Sequence, residues 1–215
     1  MDFSATAPEL RLKGLGVELP APPEPFGVYA EAVQTGNLLF LTGMLPTEGR
    51  SARFTGRLGA ELNVAEARDA ARLAAINALA VARRHLGSLD RVTRIVRLGV
   101  FVATSGNVRD HPKVADGASE LLQDVFGKEK NPSRLVYGVA SLPLGAPVEL
   151  EIIFEVSDWC CVSEVSCLKW GGMPSCSGVV NPAGRLQRSP ACIRRWCCTA
   201  GGLAAGAFTP GAQGD

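Results

Sequence analysis

The chain has 215 residues, of which 47% are hydrophobic, and this is enough for one well-packed domain with an appendage. Its formal net charge is +1 at pH 7, and its lysines and arginines form no stripe or cluster suited to nucleic acid or to a membrane surface. No apolar run is long enough to span a bilayer, and the first residues lack the basic and apolar blocks of a signal peptide. We therefore expect a cytoplasmic protein that binds neither nucleic acid nor membranes.

The cysteines and tryptophans divide the chain into regions. All 7 cysteines lie between Cys160 and Cys198, and all 3 tryptophans also fall after residue 158. This change of composition predicts a domain boundary near Ser157. The predicted regions are an N-terminal extension over 1–19 with a short helix, a main domain over 20–156, and a Cys/Gly-rich tail over 157–215.

The tail has little periodicity and is rich in glycine, proline, serine and alanine. It contains no C-x-x-C pair, so a zinc ribbon has little support. We expect an irregular, disordered extension, or an out-of-frame or readthrough product. A redox or metal-binding appendage is the alternative.

The main domain begins with a predicted β-hairpin. The stretch "VYAEAVQTGNLLFLTGMLP", residues 28–46, contains two extended runs separated by the turn signal Thr35-Gly36-Asn37. The second run is apolar from Leu38 to Leu41, which predicts a strand inside the sheet. Residues 47–60 are rich in glycine and arginine and are predicted to form a loop.

A long helix is predicted next, from Asn63 to Gly87. Asn63 and Glu66 have the spacing of a capping box, in which each side chain accepts a hydrogen bond from the other residue's backbone N–H. Alanines recur at helical spacing along one face, and their small size lets a helix lie close to a sheet. Gly87 is predicted to end the helix in a left-handed conformation.

The remaining elements complete an α+β pattern. Residues 91–104 predict a strand that places Val92, Arg94 and Val96 on one face, and a second helix is predicted from Pro112 to Gly127. Residues 131–156 read as a second hairpin. The order ββ-α-β-α-ββ predicts a two-layer sandwich with both helices on one face of a mixed sheet. Its other face is left bare, which indicates oligomerisation or a ligand site there.

The final predicted hairpin carries charges in an unusual arrangement. From Val148 onward apolar residues alternate with Glu149, Glu151 and Glu155, which share the face away from the core. Pairing the two strands is predicted to bring Arg134 near this acidic edge. Arginine can hold a planar carboxylate by two parallel hydrogen bonds, and a glutamate can accept a proton from water. A surface or interface ion pair is the alternative explanation.

The stretch "NPSRLVYGVASLPLGAPVELEI" resembles the C-terminal signature of the RidA/YjgF/UK114 family, and "FGVYAEAVQTGNLLFLTGMLP" is similar to its N-terminal hairpin. The resemblance runs from about residue 20 to 156. The separation of Arg134 and Glu149 (149 − 134 = 15) matches the family spacing. The resemblance implies a chorismate-mutase-like α+β fold, a homotrimer, and ligand sites in clefts between subunits.

The resemblance also implies an activity and roles for individual residues. The family activity is the hydrolysis of reactive enamines and imines, such as 2-aminoacrylate, to 2-keto acids and ammonia, with neither cofactor nor metal. Arg134 would bind the substrate carboxylate, and Glu149 would orient or activate water. Tyr29, Thr42 and Gly43 would line the pocket.

Two positions depart from the better-known family members. Gly117 stands where those enzymes have an asparagine on the second helix, and Val136 stands where many relatives have cysteine. Two other functions therefore stay open: a non-catalytic trimer that binds small carboxylates, and an endoribonuclease-like activity. His85 and His111 lack a neighbouring ligand pattern, so no histidine metal site is predicted.

Overall fold

The structure is a computed structural model that describes residues 7–157, 179–180 and 186–187. Its contacts divide the chain into two units, Met1–Cys160 and Cys161–Asp215. The first unit contains three helices and seven strands among its described residues: α1 (Pro8–Gly14), β1 (Ala32–Thr35), β2 (Leu38–Met44), β3 (Thr47–Glu48), β4 (Ser51–Ala52), α2 (Val64–Leu86), β5 (Val92–Ala103), α3 (His111–Phe126), β6 (Ser133–Val139) and β7 (Val148–Val156).

In the second unit, the described residues are the antiparallel strands β8 (Val179–Val180) and β9 (Leu186–Gln187), with Val179 opposite Gln187. The predicted irregularity of the tail concerns residues that otherwise lie outside the described ones.

Five strands of the first unit form one mixed sheet in the order β1-β2-β7-β5-β6. The β5–β6 pair is parallel and the other neighbouring pairs are antiparallel. The first hairpin is confirmed, with Gly36 in the turn at a φ of +58°, which glycine adopts without steric cost. As predicted, β2 lies inside the sheet, between β1 and β7.

The core lies between this sheet and the helices. On β7, Val148, Leu150, Ile152, Phe154 and Val156 are each at most 2% exposed, while the intervening residues are partly exposed. The core-facing alanines of α2 are fully buried, which lets the helix lie close to the sheet. Burying apolar surface of this kind contributes roughly 25 cal/mol per Å² to stability. The predicted α+β sandwich is therefore confirmed.

Helix α2 has both predicted caps. The Glu66 backbone N–H donates to Asn63 Oδ1 at 3.0 Å, and the Asn63 N–H donates to Glu66 Oε2 at 2.9 Å. A cap of this type stabilises a helix by about 1 kcal/mol. At the other end, Gly87 has a φ of +80°. Among the described residues, no helix combines the length and apolarity needed to cross a membrane.

The predicted hairpin over 131–156 is wrong, because β6 and β7 are not neighbours. Strand β5 lies between them and pairs with both. The connection over 140–147, which includes a 3₁₀ turn at Pro143–Gly145, is long enough to pass over one strand, a span of about 10 Å. Both β6 and β7 are strands, as their sequence patterns predict. Those patterns do not distinguish direct pairing of β6 with β7 from a connection that crosses β5.

Strand β5 and residues 47–60 also differ from the predictions in detail. The alternation predicted for β5 is interrupted by register shifts between Val92 and Arg94 and between Ile95 and Arg97. As a result Ile95 is buried, while Val96 is 39% exposed. The segment predicted as a loop, 47–60, contains the short antiparallel pair of β3 and β4, joined by a turn at Gly49 with a φ of +61°.

Candidate functional site

A shallow cavity of about 220 Å³ lies on the sheet face that the helices do not cover. Glu149 projects into this space from the start of β7, and Phe101 of β5 lies directly opposite it in the sheet. The alternation of β7 turns Val148 and Leu150 into the core and therefore turns Glu149 outward. The lining residues are Thr42, Gly43, Phe101, Leu142, Glu149, Leu150 and Glu151.

The carboxyl group of Glu149 is partly withdrawn from water. Burial raises the pKa of Glu149 above the ordinary glutamate value, because a carboxylate loses hydration when apolar groups surround it. Among the described residues, no lysine, arginine or histidine forms an ion pair with it. A carboxyl group with a raised pKa and no neutralising partner suits the role of accepting and returning a proton.

The cavity wall opposite Glu149 is formed at an irregularity in β2. The pairing of β2 with β7 shifts between Leu41 and Met44, and Gly43 in this bulge has a φ of +69°. A Cβ atom placed on Gly43 would lie 3.5 Å from the Tyr29 hydroxyl and 3.8 Å from Glu149 Oε1. The structure thus brings together four of the predicted site residues, which are Tyr29, Thr42, Gly43 and Glu149.

Arg134 lies elsewhere in the same chain. It is opposite Leu98, a fully buried residue on the helix side of β5, and its side chain therefore turns toward α3. Its Nη1 donates hydrogen bonds to Asp116 Oδ1 at 2.7 Å and to Ser119 Oγ at 2.9 Å. The expectation that strand pairing brings Arg134 to Glu149 is wrong within one chain, because β5 separates their strands.

The sequence patterns do not point to Asp116 and Ser119 as neighbours of Arg134. Their spacing on α3 places both on one helical face, but only the packing of α3 on β6 shows that this face meets the arginine. Phe101 and Tyr137 are also absent from the prediction. Their rings stack with centroids 5.8 Å apart beside the cavity, since they occupy opposed positions on β5 and β6.

The two positions that depart from the family pattern have structural explanations. Gly117 is buried where α3 crosses α2, and a Cβ there would overlap the backbone carbonyl oxygen of Arg68. Glycine therefore permits the close approach of the two helices at this position. Val136 is partly buried and packs against the core. Within the described residues, no group of three or more His, Cys, Asp or Glu side chains is placed to hold a metal ion.

The described residues thus define a protein of the chorismate-mutase-like α+β class, with a small cavity on its open sheet face. A family model described as "YjgF/chorismate_mutase-like, putative endoribonuclease" matches residues 9–156. The chain belongs to this family, and the resemblance to RidA and YjgF proteins is confirmed.

Individual relatives agree with this assignment. The chain is 40% identical over 148 residues to Protein TCP17 of Trypanosoma cruzi, covering 68% of this chain and 92% of that protein. It is 32% identical over 137 residues to a 2-iminobutanoate/2-iminopropanoate deaminase of Dermatophagoides farinae, covering 64% of this chain and 92% of that protein. The solved structure of Atu1372 from Agrobacterium tumefaciens, a protein of unknown function, superposes with a TM-score of 0.65 at 37% identity, covering 70% of this chain and 92% of that one.

Proposed function

We propose that the protein is a cofactor-free hydrolytic deaminase of small, reactive 2-imino acids and their enamine forms. The observation that carries the proposal is the environment of Glu149, a carboxyl group with a raised pKa and no ion-pair partner among the described residues, in a cavity beside Tyr29 and Gly43. The relative in Dermatophagoides farinae that is named a 2-iminobutanoate/2-iminopropanoate deaminase supports the same chemistry.

In the proposed reaction, water adds to the carbon of a C=N bond while Glu149 accepts a proton from that water and passes it to the nitrogen, which gives a carbinolamine. The C–N bond then breaks as the hydroxyl proton is transferred to the nitrogen, which releases ammonia and leaves a 2-keto acid. The guanidinium of Arg134 binds the carboxylate of the substrate through parallel hydrogen bonds. The shallow cavity suits a substrate of only a few carbons.

The proposal requires more than one copy of the chain, because Arg134 and Glu149 lie on opposite faces of the sheet. We propose a homotrimer in which Arg134 of one protomer meets Glu149 of the partner subunit. The open sheet face and its edge support such an association, since Val33, Leu135 and Tyr137 are each at least 44% exposed there. Apolar groups exposed on one side of a sheet are typical of a surface that another chain covers.

The test is the hydrolysis of 2-iminobutanoate, generated in the assay, by the wild-type chain and by Arg134→Ala. We expect turnover by the wild type and a loss of kcat/KM of at least about 100-fold in the variant, since a bidentate charged contact is removed. Arg53→Ala is the matched control, because Arg53 forms an exposed ion pair with Glu48 outside the cavity and its loss should leave turnover unchanged. Equal turnover by wild type and Arg134→Ala would refute the proposal.

A carboxylate-binding protein without catalysis is the second candidate, because Arg134 and Glu149 lie on opposite faces of the sheet within one chain and an arginine alone can hold a carboxylate. Binding of 2-oxobutanoate that depends on Arg134, without hydrolysis of the imine, would support this function.

The family description also raises endoribonuclease activity. RNA cleavage that persists through purification and disappears in Glu149→Gln would support that activity instead.

A further inference from the structure

The guanidinium of Arg134 is held by two acceptors from α3. Asp116 Oδ1 and Ser119 Oγ both accept from Nη1, at 2.7 and 2.9 Å. The Ser119 hydroxyl in turn donates to the carbonyl oxygen of Ala115 at 3.1 Å. A hydroxyl has one hydrogen, so this bond leaves only its lone pairs to face Arg134. The network therefore fixes the direction of the arginine as well as its position.

The donors of Arg134 can be assigned individually. A guanidinium has five N–H groups in one plane, and two of them belong to Nη1. Both Nη1 hydrogens have acceptors on α3, whereas no described residue accepts from Nε or Nη2. The Nε–H and one Nη2–H point in parallel, which is the spacing that the two oxygens of a carboxylate match. The side chain is 28% exposed, so part of it remains in contact with solvent.

We propose that Asp116 and Ser119 are positioning residues, which anchor Nη1 of Arg134 so that its Nε–Nη2 edge faces the carboxylate of the substrate. This inference rests on the proposed function and identifies how its anion clamp is prepared. A free arginine side chain loses about 2 kcal/mol of conformational freedom when it is immobilised. An arginine that is already held in place avoids most of this loss when the substrate binds, and the gain appears in substrate affinity.

Affinity and rate should therefore respond differently to changes at Asp116. Asp116→Ala should raise KM for 2-iminobutanoate, and Kd for its hydrolysis product 2-oxobutanoate, by about tenfold, with kcat within about twofold of wild type. Asp116→Asn keeps an oxygen acceptor for Nη1 and should restore both constants to within about threefold of wild type. Ser119→Ala should raise them by about threefold, because Asp116 still holds the arginine.

The matched control is Glu120→Gln, on the same helix and also paired with an arginine, Arg68, but without contact to Arg134. This variant should leave KM and Kd unchanged. Thermal unfolding is measured for every variant, and Ser119→Ala provides the test should Asp116→Ala fail to fold. A lower melting temperature with unchanged KM and Kd would overturn the positioning role, and so would an Asp116→Asn variant as impaired as Asp116→Ala.

Calorimetric titration with 2-oxobutanoate separates this inference from the proposed function. Binding that weakens in Arg134→Ala but not in Asp116→Ala or Ser119→Ala would refute the positioning role alone. Binding that is the same in Arg134→Ala and in the wild type would refute the arginine clamp on which the proposed function depends. The neutral ketone 2-butanone, which lacks the carboxylate, should bind equally to all variants.

Discussion

Arg134 and Glu149 lie on opposite faces of one sheet, although they are only 15 residues apart in sequence (149 − 134). Arg134 stands opposite the buried Leu98 and turns toward α3, whereas Glu149 stands opposite Phe101 on the open face. The sheet itself therefore separates the two groups. A site that uses both residues can form only where the edge of one protomer meets the open face of another.

This geometry predicts complementation between inactive variants. Arg134→Ala and Glu149→Gln should each lack imine hydrolysis alone. In the proposed homotrimer, refolding the two together in equal amounts should give mixed assemblies in which about a quarter of the sites combine an intact Arg134 with the partner's intact Glu149. The specific activity of the mixture should then approach about a quarter of the wild-type value.

The control for complementation is a mixture of Arg134→Ala with the double variant Arg134→Ala/Glu149→Gln, which contains no intact arginine and should remain inactive. Full inactivity of the first mixture, in trimers verified by native mass measurement, would show that both groups act from one protomer. That outcome would contradict the shared site.

The raised pKa of Glu149 makes a prediction about stability. The folded protein holds the Glu149 proton more tightly than the unfolded chain does, because burial penalises the charged form. The charged carboxylate therefore lowers the free energy of unfolding at pH values above its raised pKa, and this effect disappears below the ordinary value of 4.5. Glu149→Gln should be more stable than wild type at pH 7, by no more than about 1 kcal/mol because the group is half-exposed.

The measurement is urea unfolding of both proteins between pH 4 and pH 8, in which the advantage of Glu149→Gln should shrink as the pH falls. Glu155→Gln is the control on the same face of β7. The Glu155 carboxylate accepts hydrogen bonds from Asn37 at 3.1 Å and Thr93 at 3.0 Å, so its replacement should not stabilise the protein. An advantage of Glu149→Gln that is equal at pH 4 and pH 8 would contradict the burial of charge.

The contrast between α2 and β6 shows which features a sequence can predict. Helix α2 is specified locally, since the capping box at Asn63, the buried alanines and Gly87 lie within the element itself. The partner of β6 is specified by the rest of the chain, because the connection over 140–147 fits either direct pairing with β7 or a crossover. Sequence patterns therefore predict which segments form helices and strands, and on which face of the sheet Glu149 lies.

The surroundings of Arg134 could not be predicted for the same reason. Its contacts with Asp116 and Ser119 depend on how closely α3 packs on β6. The need for glycine at position 117 likewise comes from the carbonyl oxygen of Arg68, which lies on a different helix. Such contacts join segments that are distant in sequence, and they form only when the helices pack on the sheet and on each other.

The close approach of α2 and α3 predicts that Gly117→Ala destabilises the fold. The added Cβ would overlap the backbone carbonyl oxygen of Arg68, and a backbone atom cannot rotate away as a flexible side chain can. The helices must then move apart, which should lower the free energy of unfolding by about 1–3 kcal/mol. Urea unfolding of the full chain measures the difference.

Gly14→Ala is the control for this prediction. Gly14 is also a helical residue, the last of α1, but the space around its Cβ position is open. Alanine there should be neutral or stabilise the protein slightly, because it restricts the unfolded chain. Similar losses of stability in the two variants would mean that the contact with Arg68 does not limit residue size at 117.

An ion pair joins Glu31, which directly precedes β1, to Arg84 near the end of α2, and it predicts an asymmetric response to mutation. The Glu31 side chain is 8% exposed, while that of Arg84 is 50% exposed. Arg84→Ala should leave a buried carboxylate without its partner and lower the free energy of unfolding by about 2–3 kcal/mol. Adding Glu31→Gln removes the charge and should recover most of this loss.

The comparison for this pair is Arg50→Ala, because the partner of Arg50, Glu24, is 73% exposed and remains hydrated when the arginine is removed. Its loss of stability should be below about 1 kcal/mol. Urea unfolding at neutral pH measures all the variants. Recovery in the double variant identifies the unpaired charge of Glu31 as the cause, whereas a double variant as unstable as Arg84→Ala would attribute the loss to the packing of the arginine stem.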